Sequence, residues 1–373
     1  SILHFTDGRF QVGPDSAGAD PGPACYRRGG PLTVTDCNVL LGRIQADHFP
    51  PLFGPQGDQP LDAGIVRRRF LDLAQEIATA TGRATSPEAV AEGFLRIAVE
   101  NMANAIKTIS VQRGYDVTGY TLQCFGGAGG QHCCRVADAL GMERIFLHPL
   151  AGVLSAYGMG LADIRALRQV QIEHPLAAED VAEVLQRAVQ PLLGSVTKEV
   201  REQGVAGEHI QTIIKAHLRY SGTDSSLEVD LAEVQSMRSA FETAHRQRFG
   251  FITPERPLMV EALVVEAIGG GEPLIEPELP LTGDTPQPQQ EVDLWLGNGH
   301  QQVPLYLRAA LLPGQRLTGP ALIIEAIGTV VLEPGWQATC NSRNHLILTR
   351  TAPRLHTEQV GTAVDPVMLE VFA

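Results

Sequence analysis

Aromatic residues are scarce in this 373-residue sequence, at 5%, and only two of them are tryptophan. Cysteines are few as well: Cys25, Cys37, Cys124, Cys133, Cys134 and Cys340. No two of them make a C-x-x-C pair, which speaks against a zinc ribbon. Thiols this sparse in a long chain are expected to stay reduced, as in the cytoplasm. No apolar stretch approaches the roughly 20 residues that span a bilayer. Ser1 to Phe5 read as neither a signal peptide nor a transit peptide. There is no extended basic block, and the formal net charge is -13. A diffuse acidic surface speaks against nucleic acid or an anionic membrane as partner.

What is present is apolar content, 44% of residues, over a length that suggests two or three domains. Gly13 to Pro31 is too rich in glycine and proline for a regular helix or a central strand. Leu32 to Val34 is expected to form a short strand, and Val39 to Ile44 an apolar turn. A helical region begins at Leu61. Ser86-Pro-Glu reads as a second helix start, with Ser86 as N-cap and Pro87 in the first position. A helix from there to about Arg113 places Val90, Phe94, Ile97, Ala98, Met102, Ala105, Ile106 and Ile109 on one stripe. A strand at Tyr120 to Phe125, a glycine turn, a helix from about His132 to Leu140 and a strand at Arg144 to Leu147 give an α/β order. From 166 to 275 the pattern is α+β: helices at Ala178 to Gln203 and Leu231 to Arg248, strands at His209 to Tyr220 and Leu258 to Ile268. A linker starts at Gly269-Gly-Gly-Glu-Pro. Short apolar runs between Gly and Pro turns over 285 to 350 predict a small β-rich domain.

Several constellations have the composition for chemistry. Cys124-Phe-Gly-Gly-Ala-Gly-Gly-Gln-His132 lies between strand and helix. Its glycines let backbone approach a ligand closely, and the helix start that follows suits negative charge. A tight turn with no ligand is an equal reading, since the loop matches neither a Walker A motif nor a dinucleotide fingerprint. Gly13 to Gly30 with Thr33 to Asn38 gathers Asp15, Ser16, Asp36 and Asn38 in a rigid irregular segment. Such segments often carry function, although Asp36 alone reads more readily as a helix cap. His132 faces either a ligand or the helix start. Cys133 and Cys134 read as buried structural thiols. Arg219-Tyr-Ser-Gly-Thr-Asp224 reads as a turn with Gly222 left-handed, or as a cleft edge.

These segments resemble the hydantoinase/oxoprolinase family over nearly the whole chain. Glu100 to Ile106, Ser110 to Gly114, Ala151-Gly-Val-Leu-Ser-Ala-Tyr-Gly-Met159, His245 to Phe251, Gly319 to Glu325 and Glu333-Pro-Gly-Trp336 carry the likeness further. Gly129-Gly-Gln-His132 and Gly222-Thr-Asp224 look most like the 5-oxoprolinase branch. Cys37 and Cys133 stand where that family usually has Ala, and Arg27 where Gly is common. The resemblance implies an α/β fold: residues 1–165 as the later part of an actin-like (ribonuclease H-like) ATPase domain, followed by an α+β region and the β-rich domain. It implies that 351–373 leads into a hydantoinase B-like region of the same parent chain, and that a phosphate-loop lobe precedes Ser1. It further implies ATP and Mg²⁺ as cofactors, a cyclic amide as substrate and a cytoplasmic, homo-oligomeric parent. The nucleotide would lie against Gly126, Gly127, Ala128, Gly129 and Gly130, beside the helix that carries Asn104. Asp15, Ser16, Asp36, Asn38 and His132 would border the same cleft. No catalytic residue and no metal ligand is assigned. ATP would phosphorylate the lactam oxygen of 5-oxo-L-proline, and water would then open the ring to L-glutamate. N-methylhydantoinase, acetone-carboxylase-type chemistry and a docking module without activity are the competing implications.

Overall fold

The computed structural model describes residues 1–111, 114–270 and 274–353. The expected helix end near Arg113, the linker residues 271–273 and most of 351–373 lie outside the described residues. The chain divides into two compact units. One combines Ser1–Ser155 with the chain from Glu276 onward, and the other is Ala156–Ile275.

The first unit opens with a hairpin, β1 (Leu3–Thr6) and β2 (Arg9–Val12). The irregular segment that follows contains only one short 3₁₀ turn, Ala24–Tyr26, before α1 (Val34–Leu40). The strand expected at Leu32 to Val34 is therefore a helix start, with Thr33 as the N-cap. Asp36 accepts the Thr33 N–H at 2.8 Å and fixes the first turn. Next come α2 (Ala63–Thr81) and α3 (Pro87–Val111). The Ser86 hydroxyl accepts the Ala89 N–H at 3.1 Å, so the N-cap read from sequence is in place. The apolar stripe of α3 is buried at Val90, Phe94, Ile97 and Ala98, but Met102, Ala105 and Ile109 are exposed. In the second half of the helix Ile106 of that stripe does meet the core, together with Val99 and Ala103, which lie off it.

β3 (Thr121–Cys124), α4 (Cys133–Leu140) and β4 (Arg144–Leu147) form the strand–loop–helix–strand unit. β3 and β4 are parallel, as such a crossover requires. Gly141 closes α4 in the left-handed conformation, with φ 77°.

α5 (Leu154–Leu161) carries the chain into the second unit. There β5 (Ile164–Pro175), α6 (Val181–Glu202), β6 (Ile210–Tyr220), β7 (Leu227–Asp230), α7 (Val234–Phe249) and β8 (Leu258–Gly269) build one antiparallel sheet, in the order β5-β8-β6-β7. One face of this sheet buries Leu218, Val260 and Leu263 with Leu185 and Val189 of α6 and Phe241 of α7.

Back in the first unit, β9 (Gln290–Trp295), β10 (His300–Leu307), β12 (Ala321–Glu325) and β13 (Gly328–Leu332) form a sheet in the order β13-β12-β10-β9. Between and after them lie β11 (Arg316–Thr318), β14 (Trp336–Cys340) and β15 (Leu346–Arg350). The pattern of short apolar runs sets 285 to 350 apart as a domain. In the structure β15 pairs with β4, so β11, β14 and β15 complete the sheet begun by β3 and β4. Trp336, fully buried, packs in the same core as Val136, Leu140 and Ile145. Among the described residues, no helix is long and apolar enough to cross a membrane.

Candidate functional site

The irregular segment is organised by one carboxylate. Asp36 is fully buried. It accepts the backbone N–H of Ala24 at 3.1 Å, of Cys25 at 2.8 Å and of Thr33 at 2.8 Å, and the Thr33 hydroxyl at 2.9 Å. One side chain thus satisfies three buried amides, two from the 3₁₀ turn and one from the N-cap, and begins α1. Burial, and then the Asp36 charge, push the neighbouring Cys25 thiol far above its ordinary range, so it stays protonated. Asp36 is a structural hub.

Two residues further on, Asn38 faces a different partner. Its Nδ2 donates to Gln131 Oε1 at 2.9 Å and lies 3.4 Å from His132 Nε2. All three side chains are buried. α1 and the end of the glycine loop, 93 residues apart in sequence, therefore meet here. Beside them Arg43, fully buried, donates to the Gln131 carbonyl and pairs with Glu333 Oε1 at 2.7 Å. Arg135 binds the same oxygen at 2.7 Å and Glu92 at 2.6 Å. Burial alone would raise the Glu333 carboxyl, but Arg43 and Arg135 hold it down at about 2. Burial first, and then the same two cations, push His132 down to about 3. His132 is therefore a neutral imidazole at physiological pH. It occupies the N-cap position of α4 without making a side-chain cap bond. Local pattern gave no signal for Arg43, Glu92, Arg135 and Glu333 as a group, because their pairings are long-range.

The glycine loop has two differently used halves. Phe125 to Ala128 are exposed, while Gly130 is buried. The hairpin between β12 and β13 lies against the loop. A Cβ on Gly127 would come within 2.9 Å of the Ile327 carbonyl oxygen, and one on Gly130 within 2.7 Å of the Thr329 carbonyl oxygen. Packing thus requires these two glycines to lack a side chain. Gly126 has open space around it and φ 88°. The N–H groups of Gly126, Gly129, Gln131 and His132 donate to backbone carbonyls of Ala151, Gly126, Ala128 and Gly129.

The remaining candidates lie elsewhere on the fold. Asp15 is exposed and pairs with His4 at 3.3 Å. Ser16 is exposed and accepts the Gly18 N–H at 3.2 Å. Asn104 is exposed on α3, its carbonyl taking the Thr108 hydroxyl. The structure joins Asn38 to His132, and gives Asp15, Ser16 and Asn104 local partners only. Cys133 and Cys134 are buried, as read from sequence. In the second unit Gly222 is left-handed, with φ 76°. Arg219 there holds the Thr223 carbonyl at 3.2 Å and Glu173 at 2.7 Å.

Comparison with known proteins places this arrangement. A hydantoinase/oxoprolinase profile matches residues 1–168, and a hydantoinase/oxoprolinase C-terminal domain profile matches residues 175–351. The chain belongs to the hydantoinase/oxoprolinase family. It is 34% identical over 384 residues to a 5-oxoprolinase of Dictyostelium discoideum, an alignment that covers all of this chain and 30% of that protein. This member of the family thus spans about a third of the length of that relative. Among solved structures, the ATP-dependent caprolactamase from Pseudomonas jessenii superposes with a TM-score of 0.73 at 29% identity, covering 94% of this chain and 52% of that one. Nucleotide-free acetone carboxylase superposes with a TM-score of 0.77 at 22% identity, covering 94% and 51%, a likeness of fold. The family resemblance also implied Mg²⁺, a hard cation that takes oxygen ligands. Among the described residues, the one group of three or more metal-ligating side chains is His148, Glu276 and His345. Its two imidazoles do not suit Mg²⁺.

Proposed function

We propose that this chain is part of an ATP-dependent cyclic amidohydrolase that opens 5-oxo-L-proline to L-glutamate. The observation that carries the reading is the 34% identity to a 5-oxoprolinase along the full length of this chain. ATP is a co-substrate in this proposal, in keeping with the ATP-dependent caprolactamase that shares the fold. A lactam resists water because amide resonance weakens its carbonyl as an electrophile. Transfer of the γ-phosphoryl group to the lactam oxygen removes that protection and releases ADP. Water then adds to the carbonyl carbon, the ring C–N bond breaks as the nitrogen takes a proton, and a second water hydrolyses the resulting acyl phosphate to carboxylate and phosphate. We assign the exposed outer half of the glycine loop, Phe125 to Ala128, to the adenosine side of the nucleotide. Its inner half is packed against β13 and is rigid, which suits a preorganised surface. Asn38, Gln131 and His132 hold that inner half, and none of them is assigned to the reacting atoms.

The test uses the full-length parent enzyme with ATP, Mg²⁺ and either 5-oxoproline, caprolactam, a hydantoin, or acetone with bicarbonate. Glutamate and phosphate released in equal amounts from 5-oxoproline is the expected result. Turnover of another substrate in its place would move the reading to the caprolactamase or carboxylase type. Equal turnover by this chain alone and by the parent would show that the reacting groups all lie within 1–373. A parent that loses turnover without this chain, although the chain binds no nucleotide, would make it a docking module.

A further inference from the structure

The first unit holds a side-chain cluster that the proposed reaction does not use. β15 runs antiparallel to β4, with Leu346 opposite Leu147. One step further along the same register, His345 comes opposite His148. Directly opposed residues on one sheet face have their Cβ atoms about 5 Å apart. The two imidazole centroids are 5.2 Å apart. The chain returning from the second unit then places Glu276 between the rings. That segment is fixed to the β14–β15 turn, where the Leu279 N–H donates to the Ser342 carbonyl at 2.7 Å. Glu276 Oε1 lies 2.9 Å from His148 Nε2, and its Oε2 lies 3.0 Å from His345 Nε2. One ligand atom from each residue falls within 4.8 Å of the others.

We propose that His148, Glu276 and His345 form a binding site for a divalent first-row transition ion, with Zn²⁺ as its representative. Two imidazoles and one carboxylate are borderline donors that favour such an ion over Mg²⁺ or Ca²⁺. The site is largely enclosed, since the His345 side chain is 9% exposed and that of His148 is 11% exposed. His345 Nε2 is buried and, although close to Glu276, is out of line for a hydrogen bond to it. A metal ion would give that nitrogen a partner. Glu276 is the most open of the three, at 29%, which leaves a coordination position for water.

Hydrogen bonding around the three side chains opposes the site in one respect. The Leu150 N–H donates to His148 Nδ1 at 3.0 Å, and Asn341 Nδ2 lies 3.4 Å from His345 Nδ1. Ligation through Nε2 requires the proton to sit on Nδ1, so both contacts must yield, as must the 2.9 Å hydrogen bond between His148 Nε2 and Glu276 Oε1. The first is exposed and water replaces it, while the second is at the long limit for a hydrogen bond. Neither competes with a metal–ligand bond. The inference does not depend on the proposed substrate.

The experiment treats the purified chain with a chelator, removes the chelator and titrates Zn²⁺ by calorimetry. One equivalent should bind and raise the melting temperature. Glu276→Gln and His345→Gln should each weaken binding by more than about tenfold while far-UV circular dichroism stays native. Co²⁺ added to the unmodified chain should give the visible absorption of a low-coordinate N/O site, a readout that needs no variant. Absence of saturable Zn²⁺ binding would overturn the proposal. So would binding that both variants leave unchanged. If Glu276→Gln lowered stability equally with and without chelator, and Zn²⁺ had no effect, the three residues would be a hydrogen-bonded clamp and the proposal would fail.

Discussion

Acidification should destabilise this protein in part through the buried His132 imidazole before it reaches the carboxylates. His132 has its pKa lowered from 6.5 to about 3, through burial first and then through Arg43 and Arg135. The unfolded chain takes up this proton as pH falls through 6.5, whereas the folded chain takes it up only near 3. The unfolded state thus binds more protons in that window, and stability falls as pH falls. The slope from this group alone approaches about 1.4 kcal/mol per pH unit. Between pH 6.5 and about pH 4.5 the integrated loss is about 2 kcal/mol. His345, also shifted down by its burial, titrates in the same direction, so the total slope does not isolate His132. The difference between the wild type and His132→Asn does. Urea unfolding at intervals across that range should show the variant losing about 2 kcal/mol less than the wild type. Parallel pH dependence of the two proteins would refute the neutral, buried imidazole.

Four further substitutions probe the same region. Gly130→Ala should cost about 1–3 kcal/mol in urea unfolding, because its Cβ meets the Thr329 carbonyl and Val330. Gly126→Ala, with open space and only its positive φ against it, should cost about 1 kcal/mol. Equal costs would contradict the two-halves description of the loop. Asp36→Ala leaves the amides of Ala24, Cys25 and Thr33 without their acceptor and should cost at least about 3 kcal/mol, measured by thermal or urea unfolding. Glu333→Gln removes the charge shared by Arg43 and Arg135 and should cost about 3–5 kcal/mol at neutral pH. That cost should shrink as pH falls from the ordinary carboxylate range toward about 2, where native Glu333 itself becomes protonated.

Elements with strong local periodicity or clear end signals were legible in the sequence. Ser86-Pro87 fixed the start of α3, and the apolar Val and Ile content of β8 identified a buried strand. The glycine loop was legible as a tight turn, since Gly, unlike any other residue, tolerates the approach of the β12–β13 hairpin. α1 was legible only in so far as Asp36 read as a helix cap; its start at Thr33 was not, because Asp36 also ties Ala24 and Cys25 from outside the local window. β5 escaped because a single residue in it, Ala166, is fully buried, so its alternation is mostly polar. The pairing of β15 with β4 joins residues about 200 positions apart, and no periodicity reports such a contact. His148, Glu276 and His345 went unnoticed for the same reason.

Buried ion pairs are weak evidence for stability, since their desolvation cost rivals their attraction. The Arg43–Glu333–Arg135 cluster is better understood by what it joins. Arg43 follows α1, Arg135 lies in α4 and Glu333 follows β13, so one carboxylate oxygen ties three distant segments together. Apolar residues in those places would hold the segments together without fixing their register. Two guanidinium groups on one oxygen demand a single geometry. Arg43 passes that geometry to the loop by holding the Gln131 carbonyl, and Asn38 adds a second constraint through the Gln131 side chain. The inner end of the loop is thus pinned from two directions, while Phe125 to Ala128 remain exposed. A ligand meeting the outer half would encounter backbone already held in place, and would not bear the cost of ordering it.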